Sequence, residues 1–377
     1  MRKFPYRVRH PLQSQQLQVS TFGLWIILTA LLLNACTTLQ SNPPEVRSNP
    51  VPILAYYYIW FDTTSWDRAK TDFPLLGHYS SDNPEVMRQH IKWAKAAGIN
   101  GFIVSWKSTE RLNKRLTQLI QIADEENFKL TIIYQGLDFQ RDPLSIKQID
   151  ADFSYFIDHF ADDPAFDLYE KPVMIWSGTW KFTRDDVASV VQGKRDQLLI
   201  LASEKNVEGY QRIADLVDGD AYYWSSVNPD TFPGYTGKLT AMSDAIHANG
   251  GLWIAPAAAG FDARLIGGTT VVDRQNGKNL QIQFNAALGS SPDAVGIISW
   301  NEFSENSHIE PSEQYDRRYL KVMANILHAP SPTVSDFDSS APGGTISKLG
   351  VGRLTALGLV GALVVLGLVL VIRRADH

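Results

Sequence analysis

Short apolar runs alternate with amphipathic segments along most of the chain, from Val51 to about His328. The apolar runs do not alternate with polar residues, which is typical of parallel strands covered by helices. The segments between them have helical periodicity, and several begin with Asp, Asn or Thr, as helix N-caps do. The eight predicted strands are, in chain order, ILAYYYIW, NGFIVSW, KLTIIYQG, PVMIWSG, QLLILAS, GDAYYWSS, LWIAPAAAG and AVGIISW.

Eight strand–helix units in about 280 residues have the size and arithmetic of a (β/α)8 TIM barrel. A doubly wound open sheet is the alternative. Such a sheet usually carries a glycine-rich phosphate loop after its first strand, whereas the segment YYYIWFDTTSWD contains no glycine. We therefore predict a (β/α)8 barrel over residues 51–328.

The amino-terminal segment is predicted to be a signal peptide, residues 1–36, followed by a linker, residues 37–50. A basic stretch precedes the apolar run TFGLWIILTALLL, which is too short to span a bilayer comfortably and suits a signal sequence. The run ends in LNAC, which resembles a bacterial lipobox with Cys36 as the lipidated residue, although Asn34 departs from that pattern. The alternative is an uncleaved signal anchor in which Cys36 is buried.

The carboxyl-terminal segment contains an uncharged stretch, residues 354–372, long enough to cross a membrane as a helix. The positive-inside rule places Arg373 and Arg374 in the cytoplasm and the barrel on the other side. We expect a flexible linker at 329–350 and a transmembrane helix with a basic cytoplasmic end at 351–377. The alternatives are a buried helix of the body and a surface-sorting tail, for which no LPxTG signal is present.

Charge and cysteine content exclude several function classes. The formal net charge is −5, but both ends are basic, so residues 37–339 carry −12. An acidic body argues against a nucleic-acid partner. The single cysteine excludes an intrachain disulfide and a cysteine-based zinc site.

Aromatic residues occur where six of the predicted strands end. Because the carboxyl ends of barrel strands build the active site, these rings are expected to line a cleft and to contact the apolar faces of sugar rings. The alternative is that they fill the upper layer of the barrel. The six residues are Trp60, Trp106, Tyr134, Trp176, Trp224 and Trp300.

Carboxylates follow several of the same strands, and two of them, Glu302 and Glu305, follow the last strand three residues apart. A helical turn would point both in one direction, into the pocket. Glycoside cleavage needs two carboxyl groups, and burial and mutual repulsion would raise the pKa of one of them. A solvated helix face is the alternative for this E-x-x-E pair. The other rim carboxylates are Asp62, Asp138, Glu204 and Asp262.

The residues around this pair add polar groups but no cofactor or metal motif. A lone His308-Ile309-Glu310 is poor evidence for a metal site, so we expect Asn301, His308 and Glu310 to be polar residues of the pocket or of its support. The chain contains no G-x-S-x-G motif, no P-loop and no cysteine nucleophile that would compete with the carboxylates. No cofactor is predicted.

Three segments resemble glycoside hydrolase family 99, the endo-α-mannosidase-type enzymes, and the related family 71: GHYSSDNPEVMRQHIKWAKAAGINGFIVSW, GFDARLIGG and SWNEFSENSHIEPS. The family pattern runs Asn-Glu-aromatic-x-Glu, then Gly-Thr-x, then Ile-Glu-Pro. The sequence departs from it at Ser304, Asn306 and Ser307. It matches the pattern at Asn301, Glu302, Phe303, Glu305, Ile309, Glu310 and Pro311.

The resemblance implies roles for individual residues. Glu305 would be the general acid/base at the glycosidic oxygen, Glu302 the base at the sugar's 2-hydroxyl, and Trp106 a pocket residue. It also implies retention of configuration through a 1,2-anhydro sugar. We therefore predict a membrane-tethered, extracytoplasmic hydrolase of α-mannan or α-glucan. The alternatives are a catalytically silent glycan-binding barrel and a structural envelope protein.

Overall fold

The computed structural model describes residues 50–68 and 70–329. The predicted signal peptide, Cys36 and the predicted membrane helix at 354–372 lie outside the described residues. Within the described part of the chain, no helix is both long and apolar enough to cross a membrane.

Eight parallel strands form the central sheet, and an antiparallel two-stranded hairpin, β8 and β9, lies beside it. The strand order in the main sheet is β5-β4-β3-β2-β1-β10-β7-β6. The strands are β1 (Ile53–Tyr58), β2 (Gly101–Trp106), β3 (Lys129–Gln135), β4 (Val173–Ser177), β5 (Leu199–Leu201), β6 (Gly219–Asp220), β7 (Leu252–Ala258), β8 (Phe261–Asp262), β9 (Val271–Val272) and β10 (Ala294–Ile298).

The sheet closes on itself between β5 and β6. Ala202 and Asp220 form a parallel bridge. The amide of Ala202 donates to the carbonyl of Gly219 over 2.9 Å, and the amide of Ala221 donates back to Ala202 over 2.8 Å. This closure confirms the predicted (β/α)8 barrel.

Eight α-helices cover the described part of the barrel. Their amino termini carry the expected caps: Asn83 accepts from the amide of Glu85, and Thr183 forms a capping box with Asp186. The helices are α1 (Pro84–Ala96), α2 (Glu110–Glu125), α3 (Ile146–His159), α4 (Arg184–Val191), α5 (Val207–Gln211), α6 (Tyr235–His247), α7 (Lys278–Gly289) and α8 (Arg318–Ile326).

Two predicted elements are shorter in the structure. The run at 219–226 forms a strand only over Gly219–Asp220, because the chain then leaves the sheet and Trp224 packs on Tyr235 of α6. The segment VEGYQRIADLV, residues 207–217, is the helical segment predicted between the fifth and sixth strands, but its helix extends only over Val207–Gln211 and continues as turns. The first change lengthens the loop at the carboxyl end of the barrel, and the second lengthens the connection that enters β6 at the amino end.

Residues alternate along each strand between the barrel interior and the helix layer. In β1, Leu54, Tyr56 and Tyr58 belong to the interior cluster. Ala55 and Tyr57 belong to the cluster that packs against the helices. This alternation decides which side chains reach the carboxyl-end pocket.

Candidate functional site

Glu302 and Glu305 lie on a tight turn directly after β10. Its backbone is held by hydrogen bonds from Phe303 N to Asn301 O (3.1 Å), from Asn306 N to Phe303 O (3.3 Å) and from Ser307 N to Glu302 O (3.3 Å). The amide of Glu302 also donates to Ser299 Oγ over 2.8 Å. The last strand therefore ends in a folded turn, as the spacing of the two glutamates predicts.

Asn301 fastens this turn to the first strand. Its Oδ1 accepts from the amide of Tyr58 over 2.8 Å, and its Nδ2 donates to the carbonyl of the same residue over 3.0 Å. One residue earlier, the amide of Trp300 donates to Tyr56 O over 2.7 Å. The Asn301 side chain thus continues the β1–β10 ladder beyond the point where the backbone leaves the sheet.

Burial and mutual repulsion dominate the electrostatics of the pair. Glu302 is 6% exposed. Burial, and then the charge of Glu305, raise the pKa of Glu302 to about 8, although the Ser304 amide and the Lys70 ammonium act in the opposite direction. Burial also raises the pKa of Glu305, against the effects of Tyr223 and Arg141. The pair therefore holds a proton at neutral pH.

Two tyrosines that the sequence analysis did not select lie against this pair. The hydroxyl of Tyr223 donates to Glu305 Oε2 over 3.4 Å. Burial raises the pKa of Tyr58 and of Tyr223, and the charges of Glu302 and Glu305 raise both further. The alternation of residues along β1 could have identified Tyr58 from the sequence, because Tyr58 shares the interior face of that strand with Leu54 and Tyr56. Lys70 and Arg141 lie in loops, where no periodicity identifies them.

Four of the six predicted cleft aromatics face the helices and not the pocket: Trp106, Tyr134, Trp176 and Trp300 are fully buried. Their partners are on the outer layer. Trp106 Nε1 donates to Asn113 of α2 over 3.0 Å, and Tyr134 donates to Asp152 of α3 over 2.9 Å.

Trp176 contacts Phe153 of α3, and Trp300 contacts His90 of α1. The predicted sugar-lining role of these four aromatics is therefore wrong, and this includes the role that the resemblance implies for Trp106. The neighbouring polar residue faces the barrel interior in each of these strands. It is Ser105 before Trp106 in β2, Gln135 after Tyr134 in β3 and Ser177 after Trp176 in β4.

The remaining two predicted aromatics lie at the rim. Trp60 is 41% exposed and packs against Tyr58 with 4.4 Å between ring centroids, so it continues the interior register of β1. Trp224 is partly buried against Tyr235, and the Lys238 ammonium lies 4.2 Å from its ring centroid. Trp60 therefore keeps its predicted position beside the pocket, whereas one face of Trp224 is covered by a cation.

Asn301 and Glu310 are buried beneath the turn, so of the two expected places they occupy the support of the pocket and not its lining. Glu310 accepts from the Tyr79 hydroxyl over 2.9 Å and pairs with His90 Nε2 at 3.0 Å. Asn301 Nδ2 lies 3.3 Å from the Tyr79 oxygen, and Tyr57 pairs with His90 Nδ1 at 3.0 Å. These residues form a buried network that supports the turn from below.

His308 has a similar supporting place. It is fully buried, stacks on Phe303 at 4.0 Å and pairs through Nε2 with Asp72 at 3.0 Å. Burial lowers the pKa of His308 to about 4, so the ring is neutral at physiological pH and its Nε2–H donates to Asp72. His308 and Glu310 thus have separate partners and do not converge on one point.

The other rim carboxylates are engaged elsewhere. Asp62 caps the short helical turn that follows β1, and Asp138 accepts from the amides of its own loop. Glu204 pairs with Arg212 at 3.0 Å, and Asp262 pairs with Arg264 at 2.6 Å. These four carboxylates thus have partners of their own, whereas Glu302 and Glu305 influence each other and have Tyr58 and Tyr223 beside them.

Curated relatives share part of the chain. A rat protein named glycoprotein endo-alpha-1,2-mannosidase is 24% identical over 269 residues, which cover 65% of this chain and 57% of the relative. The mouse protein of the same name is 23% identical over 338 residues, which cover 73% of this chain and 72% of the relative. The chain thus spans little more than half the length of the rat protein.

A solved structure shares the fold. The family 99 endo-alpha-mannosidase of Bacteroides thetaiotaomicron, in complex with bis-tris-propane, superposes with a TM-score of 0.64 at 22% identity, covering 74% of this chain and 97% of that one. The family model for glycosyl hydrolase family 99 matches residues 60–324, which contain both glutamates and most of the barrel. The chain therefore belongs to glycosyl hydrolase family 99.

Proposed function

We propose that this chain is a glycoside hydrolase that cleaves α-linked glycans of the α-mannan or α-glucan type, within the chain and with retention of configuration. The observation that carries the proposal is the buried Glu302–Glu305 pair at the carboxyl end of the barrel, with raised pKa values and Tyr223 hydrogen-bonded to one member. The printed names of the relatives, which are endo-alpha-1,2-mannosidases, support the substrate class.

In the first step, Glu302 takes the proton of the sugar's 2-hydroxyl as that oxygen attacks the anomeric carbon. The glycosidic bond breaks, and the leaving oxygen takes the proton of Glu305. A 1,2-anhydro sugar results. In the second step, water attacks the anomeric carbon and gives a proton to Glu305, while the 2-oxygen recovers its proton from Glu302.

The raised pKa values keep one proton on the pair at neutral pH, as the first step requires. In the free protein the pKa of about 8 and the charge of Glu305 place this proton on Glu302, so it has to pass to Glu305 before the glycosidic bond breaks. A carboxylate with a raised pKa is also a stronger base toward a hydroxyl group than an ordinary glutamate. Tyr223 and Arg141 oppose the rise at Glu305, so they help that residue to release its proton in the first step.

We also propose that the barrel lies outside the cytoplasm and is tethered to a membrane. The tethers would be an acyl chain on Cys36, the helix at 354–372, or both. The support comes from the sequence alone, because both segments lie outside the described residues. A single acyl chain binds a membrane reversibly, whereas a spanning helix is effectively permanent.

The two glutamates should fail in different ways. Glu305→Gln should lower kcat/KM on a natural glycan about 10²- to 10⁴-fold, which is the usual contribution of general acid catalysis. The loss should be smaller on a fluoride or acidic phenol leaving group, which needs no proton. Glu302→Gln should be slow on both substrates, because no leaving group replaces deprotonation of the 2-hydroxyl.

A substrate without the 2-hydroxyl provides the control for this mechanism. The unaltered protein should not cleave it. Normal cleavage of the 2-deoxy substrate through a trappable ester on Glu302 would contradict the anhydro-sugar route. Folded variants with undiminished activity would contradict the assignment of both residues, and a protein that binds glycans without releasing reducing ends would be a binding barrel.

Glu302→Gln should also stabilise the fold at high pH. The pKa of Glu302 is raised from its ordinary value of 4.5 to about 8, so the folded state favours the neutral carboxyl. The unaltered protein therefore loses stability as pH rises from 4.5 to 8, and the variant loses less, because Glu305 is then the only member of the pair that still ionises. The difference in unfolding free energy should reach a few kcal/mol at pH 8.5, since each pKa unit corresponds to about 1.4 kcal/mol.

Urea unfolding at pH 4.5, 6.5 and 8.5 measures this difference. Glu313→Gln is the matched control, because it removes the same charge from the same loop region at an exposed position. Parallel curves for the unaltered protein and Glu302→Gln would show that Glu302 titrates as an ordinary surface carboxylate.

The membrane proposal has a separate test. Cys36→Ala should leave the protein in the membrane fraction, whereas removal of residues after Gly350 should make retention depend on the lipid. Labelling cells with a radioactive fatty acid measures the first tether. Absence of label on the unaltered protein would leave the signal-anchor interpretation, and release of the protein after Cys36→Ala alone would contradict the helical tether.

A further inference from the structure

A cluster of three aromatic rings and two lysines lies at the carboxyl end of the barrel. We call it the lysine ledge, and it consists of Trp180, Lys205, Tyr222, Trp224 and Lys238. The Trp180 and Tyr222 centroids are 6.4 Å apart, and those of Tyr222 and Trp224 are 5.9 Å apart. Lys205 Nζ lies 4.3 Å from the Trp180 centroid, and Lys238 Nζ lies 4.2 Å from that of Trp224. The rings therefore hold two ammonium groups in defined places.

The ledge is on the catalytic end of the barrel. Trp180 follows β4, Lys205 follows β5, and Tyr222 and Trp224 follow β6. Tyr223, which lies between two ledge residues in the chain, donates to Glu305. Arg141 influences both the pKa of Tyr222 and that of Glu305, so a third cation lies within electrostatic reach of both places.

Neither ledge lysine has a carboxylate partner among the ion pairs of the described residues. Lys205 is exposed, and Lys238 is half-buried. Burial, and then the charge of Lys205, lower the pKa of Lys238, with no acidic group acting in the opposite direction. Two ammonium groups that repel each other without a neutralising carboxylate are unexpected in a body that carries −12 over residues 37–339.

Cation–π contacts leave the N–H donors of both lysines available, since an aromatic ring accepts no conventional hydrogen bond. We propose that the lysine ledge is a subsite for an anionic substituent of the glycan, a phosphate or a carboxylate, next to the site of cleavage. This inference rests on the proposed function, and it narrows the substrate class from α-linked glycans in general to those that carry an acidic substituent. Because an ammonium group covers one face of Trp180 and one face of Trp224, the ledge offers positive charge where a bare ring would offer an apolar face to a pyranose.

Three forms of one α-linked oligosaccharide test this subsite: neutral, carrying one sugar 6-phosphate, and carrying one uronic carboxylate. Titration calorimetry with the full chain gives each Kd. We expect binding of an acidic form to be about five- to tenfold tighter than that of the neutral form at low salt, from one ion pair with the exposed Lys205 and one with the half-buried Lys238. The preference should fall as salt increases. The acidic form with the tighter binding identifies the substituent.

Lys205→Gln/Lys238→Gln should bring the ratio of the two Kd values to about one and leave the Kd of the neutral form unchanged. Lys205→Arg/Lys238→Arg should retain the preference. Lys92→Gln/Lys147→Gln is the charge-matched control, because both lysines are exposed on the outer helices, and it should keep the preference too. Equal loss of affinity for acidic and neutral forms would mean that the lysines only stabilise the rim.

Equal affinities of the unaltered protein for all three oligosaccharides would overturn the inference. Hydrolysis of the neutral form, followed by mass spectrometry, separates this outcome from failure of the proposed function. Cleavage of the neutral form without any preference for an acidic form overturns the ledge as a subsite and leaves the enzyme in place. Tighter binding of an acidic form without cleavage of any form supports the ledge as a subsite and overturns the proposed hydrolase activity.

Discussion

The side-chain carboxamide of Asn301 pairs with β1 as a backbone residue of the β1–β10 ladder would. The position of the turn that carries Glu302 and Glu305 depends on this pairing. After Ile298 the backbone of the last strand leaves the sheet, and the carboxamide pairs with both polar backbone groups of Tyr58 in its place. Because an unpaired backbone group would be costly here, the turn cannot move away from β1 without losing two buried hydrogen bonds. Glu302 and Glu305 come directly after Asn301 in the chain, so this pairing fixes where they lie.

The support beneath the turn consists of polar groups that satisfy one another. Tyr79, Glu310, His90 and Tyr57 form a chain of buried hydrogen bonds, and His308 with Asp72 forms a second one. A buried network of this kind is rigid only if its members are paired, so both histidines have structural value without touching substrate. Rigid support allows two carboxyl groups to remain close together although burial and repulsion disfavour their ionisation.

The charge around Glu302 and Glu305 differs in sign from the net charge of the body. The body is acidic, but Lys70 and Arg141 act on the two glutamates and the ledge lysines lie on the adjoining rim. Local cations limit the cost of a second negative charge on the pair during turnover. If the lysine ledge binds an anionic substituent as proposed, the same cations offset the repulsion between an acidic glycan and the acidic body.

The eight-fold repetition of strands and helices was predictable from the sequence, because barrel strands have an unmistakable apolar pattern. The glutamate pair was predictable too, since its place after the last strand follows from that repetition. The orientation of the aromatic residues was not predicted correctly. A tryptophan at a strand end faces the pocket or the helices according to whether it lies an even or an odd number of residues from an interior residue of the same strand. Counting from Leu54 through Tyr56 and Tyr58 to Trp60 selects the correct face, whereas Trp106 and Trp176 fall on the opposite one. Lys70 and Arg141 come from loops, whose conformation no periodicity encodes.

The proposed acid–base mechanism depends most directly on the protonation state of the glutamate pair. This state can be measured by carbon-13 NMR of the protein labelled at the glutamate carboxyl carbon, with Glu302→Gln and Glu305→Gln used to assign the two signals. At pH 7 the chemical shifts of the pair should correspond to one shared proton, which leaves near pH 8. Two carboxylates that ionise together near pH 4.5, as exposed glutamates do, would contradict a buried acid–base pair at this site.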